Sequence, residues 1–410
     1  MAVFPTGLNE NTIFPAMPAI AGISLGTACA GIKQTLRDDI LLVSMPETAS
    51  CAAVFTQNAF CAAPVLIAKD NLLHAPRWLL VNSGNANAGT GKQGLADAQF
   101  CCAEVAKLTD SDARQVLPFS TGVIGQALPV AKIAAILPAA YANLDEDHWQ
   151  PAARAIMTTD TFAKGASKQI SIAGHNVTIN GIAKGAGMIH PNMATLLAFV
   201  ATDAVIGQAL LQDCLVAAVG QSFNRITVDG DTSTNDACVL MASGCSSAPE
   251  ITVDSEHYPL FAEAVQDVMK QLAELIVRDG EGATKLIRIL VEQALTDEEA
   301  ARVGKTIAHS PLVKTAFFAS DPNWGRILAA VGRAGVTDMV LEAVTIYLDD
   351  VCIVENGGCA AGYTESAGQR VMDQAEITIT VKLGRGSASQ QVLTCDFSYD
   401  YVKINAEYRT

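Results

Sequence analysis

The stretch Lys184-Gly185-Ala186-Gly187-Met188-Ile189-His190-Pro191-Asn192-Met193-Ala194-Thr195-Leu196-Leu197 joins a glycine-rich, proline-containing loop to a dense apolar run that opens with a threonine. The run from Thr195 to Ala201 predicts a buried strand. Ala194, a small residue, leaves room for the threonine Oγ to approach the preceding carbonyl, and a strained loop can hold a peptide bond in that pose. Attack there gives an N-to-O acyl shift. Water then hydrolyses the ester between Ala194 and Thr195. The new amino terminus places a hydroxyl beside an α-amine whose reference pKa of about 8 is close to working pH, so the amine serves as the general base for its own side chain. A threonine that opens a strand is ordinarily structural, so this chemistry needs support from elsewhere in the chain.

Outward from that segment, strand-like and helical runs alternate. Ile40 to Ser44, Cys51 to Phe55, Trp78 to Val81 and Val116 to Phe119 predict buried strands. Leu95 to Leu108, Val130 to Leu144, His148 to Met157, Ala209 to Phe223 and Leu260 to Val277 have helical spacing. Alternation returns at Val344 to Leu348, Ile377 to Val381 and Val392 to Phe397. The mixture predicts a layered α/β or α+β fold with sheets covered by helices. Ser246 to Pro259 and the helix start at Thr296 are candidate boundaries. Asn82 to Gly89 follows a strand but has neither a G-x-G-x-x-G pattern nor a Walker lysine, and it reads as a tight turn. Asp229 to Asp236 has no EF-hand spacing and reads as a capped turn bracing the site.

The chain has 410 residues, 50% hydrophobic and 17% charged, with a formal net charge of -15. That length supports a substantial core, and an acidic surface argues against nucleic acid as a partner. No apolar run is long enough to predict a membrane span. Pro5, Pro15 and Pro18 interrupt the first residues, and no basic residue precedes Lys33, so no secretory signal is expected. Eleven cysteines without a C-x-x-C pair read as free thiols in a reducing cytoplasm rather than as a disulfide framework or zinc site. No metal and no cofactor is expected. His190, alone in its loop, reads first as an incidental loop histidine, with titration near the site as the alternative.

The segment from Lys184 to Phe199 resembles the signature of the ornithine acetyltransferase (glutamate N-acetyltransferase) family, and the resemblance runs through most of the chain. It is carried by Ala53-Val54-Phe55-Thr56-Gln57-Asn58, Val81 to Ala88, Ser120-Thr121-Gly122-Val123-Ile124-Gly125 and Met157-Thr158-Thr159-Asp160-Thr161. Further matches are Asn224 to Asp236, Arg278-Asp279-Gly280-Glu281-Gly282-Ala283-Thr284, Ser320 to Arg326 and Tyr401 to Thr410.

The resemblance implies two α/β lobes of layered α-β-β-α type with the site between them. It also implies a chain of residues 1–194, a chain of residues 195–410 with a smaller lobe at roughly 285–385, and a heterotetramer of two of each. The implied reaction is ping-pong: N-acetylornithine acetylates Thr195, ornithine leaves, and glutamate takes the acetyl group in arginine biosynthesis. Some members also accept acetyl-CoA. Carried onto this chain, Thr195 is the nucleophile, Thr121 and Gly122 stabilise the oxyanion, and Thr158, Lys184, Thr195, Glu281, Asn405 and Thr410 match the substrate-binding positions. Lys184 suits a substrate carboxylate and Glu281 an ammonium. Two other readings stay open at the level of sequence: an amino-terminal-nucleophile amidohydrolase or aminopeptidase with water as acceptor, and a scaffold that has lost activity.

Overall fold

The computed structural model describes residues 14–32, 37–190 and 196–407. The apolar run that follows the glycine-rich loop is the strand Leu197–Thr202, and every residue in it is buried. Its apolar character is continuous because both faces are covered, as expected of a strand between two layers. Ala198 and Val200 enter one hydrophobic core, while Leu197, Phe199 and Ala201 enter a second.

Those two cores define the layers. Five strands pair in the order Ser50–Phe55, Ala237–Ala242, Leu197–Thr202, His175–Lys184, Lys164–Ile172. One face of this sheet packs under the helices Gln208–Gly220 and Tyr258–Arg278. The other face meets a four-stranded sheet ordered Ser24–Ala28, Ile40–Ser44, Trp78–Asn85, Val116–Val123. The far face of that second sheet lies under the helices Gly91–Thr109 and Val130–Ala142. The stack is therefore helix, sheet, sheet, helix, the layering the family resemblance implied. Edge-to-face contact of Phe119 with Phe199, with centroids 5.3 Å apart, locks the two sheets together.

The sandwich takes strands from both sides of the Ala194–Thr195 bond. Leu197–Thr202 pairs antiparallel with His175–Lys184, with Lys184 opposite Leu197, and parallel with Ala237–Ala242. A third core belongs to a separate lobe, in which a six-stranded sheet carries the helices Asp297–Ala308, Trp324–Gly332 and Glu365–Met372. Thr296 caps the first of these by accepting from the Glu299 amide, and three acidic residues follow in its first turn.

Periodicity predicted about half of the strands and helices, with the ends shifted by a few residues. It missed the strands Ser24–Ala28, Ala237–Ala242 and Leu286–Ala294. Missed too was the hairpin Lys164–Ile172 with His175–Lys184, whose outer strand is too polar to read as a strand. It also cut the strand after Val81 too early. Trp78–Asn85 continues through Asn82-Ser83-Gly84 in parallel register with Ser120-Thr121-Gly122, so the expected tight turn begins only after Asn85. Among the described residues, no helix is long and apolar enough to cross a membrane. All eleven cysteines are unpaired.

Candidate active site

The parallel strands Trp78–Asn85 and Val116–Val123 end in a bulge where Asn85 faces both Thr121 and Val123. Gly122 has φ +136, and a Cβ there would stand 2.3 Å from the Gly84 carbonyl carbon, so only glycine fits. Buried amides brace this corner. The Asn82 side chain donates to the Asn85 carbonyl at 2.9 Å and accepts from the Ser120 hydroxyl at 2.6 Å. Asn235 Nδ2 donates to the carbonyls of Ala86 at 2.5 Å and Ser120 at 2.9 Å. The Thr121 hydroxyl thus sits on a rigid strand end. Lys184 Nζ donates to the Thr121 Oγ at 3.2 Å, which leaves the threonine's own O–H to point elsewhere.

The loop after Lys184 is held by three carboxylates. Asp160 accepts from the Gly185 amide at 2.7 Å and, through its other oxygen, from the Thr158 amide at 2.8 Å. Asp229 accepts from the amides of Met188 at 2.6 Å and Ile189 at 2.9 Å. Glu281 lies against Gly187, where a Cβ would stand 2.5 Å from the carboxyl carbon, and its amide donates to the Ala186 carbonyl at 2.8 Å. Met188 has φ 55, an uncommon conformation for a residue with a side chain. The loop therefore carries local backbone strain at Met188.

Behind the loop, Lys164 is fully buried between Asp160, at 2.6 Å, and Asp279. Asp279 also accepts from the Thr161 amide and hydroxyl. Burial disfavours the Lys164 ammonium, but the two carboxylates outweigh it and hold its pKa above the ordinary lysine value. Burial likewise opposes ionisation of Asp160. Lys164, Lys184 and the Gly185 amide reverse that and hold its carboxyl well below the usual range. The Lys184 ammonium is pushed down by burial, with Asp160 and Asp236 acting against the shift.

Thr121, Gly122, Thr158, Lys184, Glu281 and Asn405 all line one cavity of about 270 Å³, together with Asp236. Asn405, on the C-terminal helix Tyr399–Ala406, donates to Glu281 at 2.8 Å. Six of the sequence-predicted positions, from five separate segments, therefore converge. Ala194, Thr195 and Thr410 lie outside the described residues. Sequence reasoning missed Asn82 and Asn85 as braces, Asp160 and Lys164 as anchors, and Asp236 as a wall of the cavity, while Asn235 braces the site as the reading of its turn expected. The signal for all but Lys164 was membership of the motifs that carry the resemblance. Asp229 does brace the loop, as the capped-turn reading of Asp229 to Asp236 expected. His190 stacks edge-on against His309 with centroids 4.3 Å apart, so it is not an isolated loop histidine.

The sequence matches the ArgJ family over residues 24–410. It is 64% identical over 410 residues to an arginine biosynthesis bifunctional protein ArgJ from Methylococcus capsulatus, covering 100% of both chains. It is 53% identical over 397 residues to the protein of the same name from Pseudomonas fluorescens, covering 97% of this chain and 98% of that one. A crystal structure of arginine biosynthesis bifunctional protein ArgJ from Bacillus halodurans is 40% identical, with a TM-score of 0.48, and covers 50% of this chain and 96% of that one. With matches of this length and identity, the chain belongs to the ArgJ family.

Proposed function

We propose that this protein cuts itself between Ala194 and Thr195 and then transfers acetyl groups from N-acetylornithine to glutamate through an acetyl-threonine intermediate, a step of arginine biosynthesis. The observation that carries the reading is the convergence of Thr121, Gly122, Thr158, Lys184, Glu281 and Asn405 on the cavity beside Leu196, the residue bonded to Thr195. Relatives of high identity named as bifunctional arginine biosynthesis proteins support the same assignment. The name bifunctional also favours acetyl-CoA as a second acetyl source.

In this reading the α-amine of Thr195 takes the hydroxyl proton as Oγ attacks the acetyl carbonyl. The Thr121 hydroxyl and the Gly122 amide donate to the oxyanion. Lys184, already bonded to the Thr121 oxygen, orients that donor and adds positive charge. Lys184 also suits a substrate carboxylate, and Glu281 with Asn405 a substrate ammonium. Thr158 and Thr410 complete the binding set. The two chains stay together because both contribute strands to the five-stranded sheet, and two such pairs form the heterotetramer. A cytoplasmic setting fits the free thiols.

The test is mass spectrometry of the purified protein with an assay on N-acetylornithine and glutamate. A fragment beginning at Thr195 and formation of N-acetylglutamate are expected. Thr195→Ala should give one uncut chain without transfer, and cleavage of that variant at the same bond would remove the mechanism. Free acetate without N-acetylglutamate would mean that water is the acceptor.

A further inference from the structure

Asp236, which immediately precedes the strand Ala237–Ala242, lines the cavity and has no part in the chemistry above. It is 4% exposed, and its Oδ2 has no hydrogen-bond partner among the described residues. The backbone around it is fixed, with the Thr56 amide donating to the Asp236 carbonyl at 2.9 Å and the Ala237 amide to the Leu196 carbonyl at 2.9 Å. A buried carboxylate oxygen without a partner is costly, and Ser233 bonds the Asp236 carboxyl without supplying a charge. The charged groups that share its cavity are Lys184 and Glu281, with Asp160 and Lys164 behind Lys184. Burial pushes the Asp236 carboxyl well above the ordinary range, with Ser233 and the Lys184 ammonium acting in the other direction. Burial and the unpartnered Oδ2 favour the neutral acid over the carboxylate in the resting cavity.

Amide exchange between two amines has a proton requirement that the threonine alone does not meet. The hydroxyl hydrogen, passed through the α-amine, turns the departing amide nitrogen into a neutral amine. With an α-amino pKa near 8 or above, the stable form in water is the ammonium, which needs one proton more. The acceptor arrives as an ammonium and must lose one proton before its nitrogen has a lone pair.

We infer that Asp236 is a further catalytic residue, giving a proton to the amine that departs in the first half-reaction and taking one from the ammonium that arrives in the second. The inference rests on the transfer reading above. In the first half, the Oγ–C bond forms, the C–N bond breaks, and the hydroxyl hydrogen moves to nitrogen. The Asp236 O–H then breaks as a further N–H forms. Ornithine leaves as an ammonium, and the Asp236 carboxylate remains, stabilised by Lys184. In the second half, the glutamate α-ammonium gives that proton back to Asp236, the free nitrogen attacks the acetyl ester, and its remaining extra hydrogen returns through the α-amine to Oγ. One turnover exchanges no net proton with solvent.

The test uses Asp236→Asn, which keeps the shape and cannot carry the proton. Acetyl-enzyme is made from an activated acetyl ester, whose leaving group needs no protonation. It is then offered glutamate or hydroxylamine, an amine already neutral at working pH. Transfer to glutamate should slow by roughly 10²–10³-fold, the usual scale for a general acid–base, while transfer to hydroxylamine stays near wild type. Equal slowing with both acceptors, or unchanged transfer to glutamate, overturns the inference. Wild-type acetyl-enzyme that does not pass its acetyl group to glutamate at all would instead sink the transfer reading. If Asp236→Asn remains uncut, infrared difference spectra of the wild type decide. A neutral-carboxyl band should vanish on acetylation by N-acetylornithine, and its persistence overturns the inference.

Discussion

At the scale of single residues, the site depends on side chains whose freedom has been removed. The Thr121 hydroxyl is fixed from two sides, by the strand that carries it and by the Lys184 ammonium 3.2 Å away. Thr121→Ala should lower kcat by about 10²–10³-fold, the usual effect of removing one oxyanion donor, with little change in KM. Steady-state kinetics with N-acetylornithine checks this. A rise in KM at constant kcat would reassign Thr121 to ground-state binding. Lys164 acts at one remove, because it touches Asp160 and Asp279 rather than the cavity. Lys164→Met leaves two buried carboxylates without their cation and should cost about 3–5 kcal/mol. Denaturant unfolding measures that loss, and a variant as stable as the parent would mean that the carboxylates are solvated or protonated without difficulty.

At the scale of elements, the loop from Gly185 to His190 is the piece most constrained from outside. Asp160 holds its start, Asp229 its middle, and the ring of His309, at the end of the helix Asp297–Ala308, packs against His190. His309 also bonds Thr227 Oγ1 through Nε2 at 3.1 Å. Burial first, then the charges of His190, Lys314, Lys305 and Arg333, push the His309 pKa from the ordinary 6.5 down to about 3. The native state therefore binds fewer protons than the unfolded chain between those two values, and stability rises with pH across the interval. The contribution is complete above about pH 6.5 and is lost as pH falls toward 3. The melting temperature of the wild type should fall on acidification from neutral pH to pH 4, and His309→Gln should flatten that slope. Equal slopes would show that His309 titrates normally in the folded protein.

At the scale of the whole molecule, the four-layer sandwich would hold the two chains together after the proposed cut. One of its sheets pairs Lys184 with Leu197, on opposite sides of the Ala194–Thr195 bond. Its two faces are buried in separate cores. Phe199 is fully buried at the centre, touching Phe119 of the other sheet. Phe199→Ala should destabilise the sandwich by about 3–5 kcal/mol. The lobe with its own core, drawn from Ile287 to Val392, should be affected less. Calorimetry checks this through a lowered transition for the sandwich, and an equal shift of every transition would mean that the two bodies unfold as one.

The sequence by itself determined the class of fold, about half of the strands and helices, and the family, because apolar periodicity and contiguous motifs are local. The run from Thr195 to Ala201 could be read as buried from its composition alone, and Thr121-Gly122 and Lys184 could be named from their motifs. The hairpin Lys164–Lys184 was not legible, because its outer strand is polar and owes its conformation to the partner strand. Nor was the strand character of Asn82-Ser83-Gly84, whose polar side chains suggest a turn until the Asn85 carbonyl and Ser120 hydroxyl pair with Asn82 and the Ala155 carbonyl accepts from Ser83. Only the tertiary structure decided that Asp160 and Lys164 anchor the loop and that Asp236 keeps an unpartnered oxygen at the cavity wall. The physical reason is common to all three. What a buried charge does depends on which distant groups desolvate, pair or abandon it, and those groups come together only when the layers close.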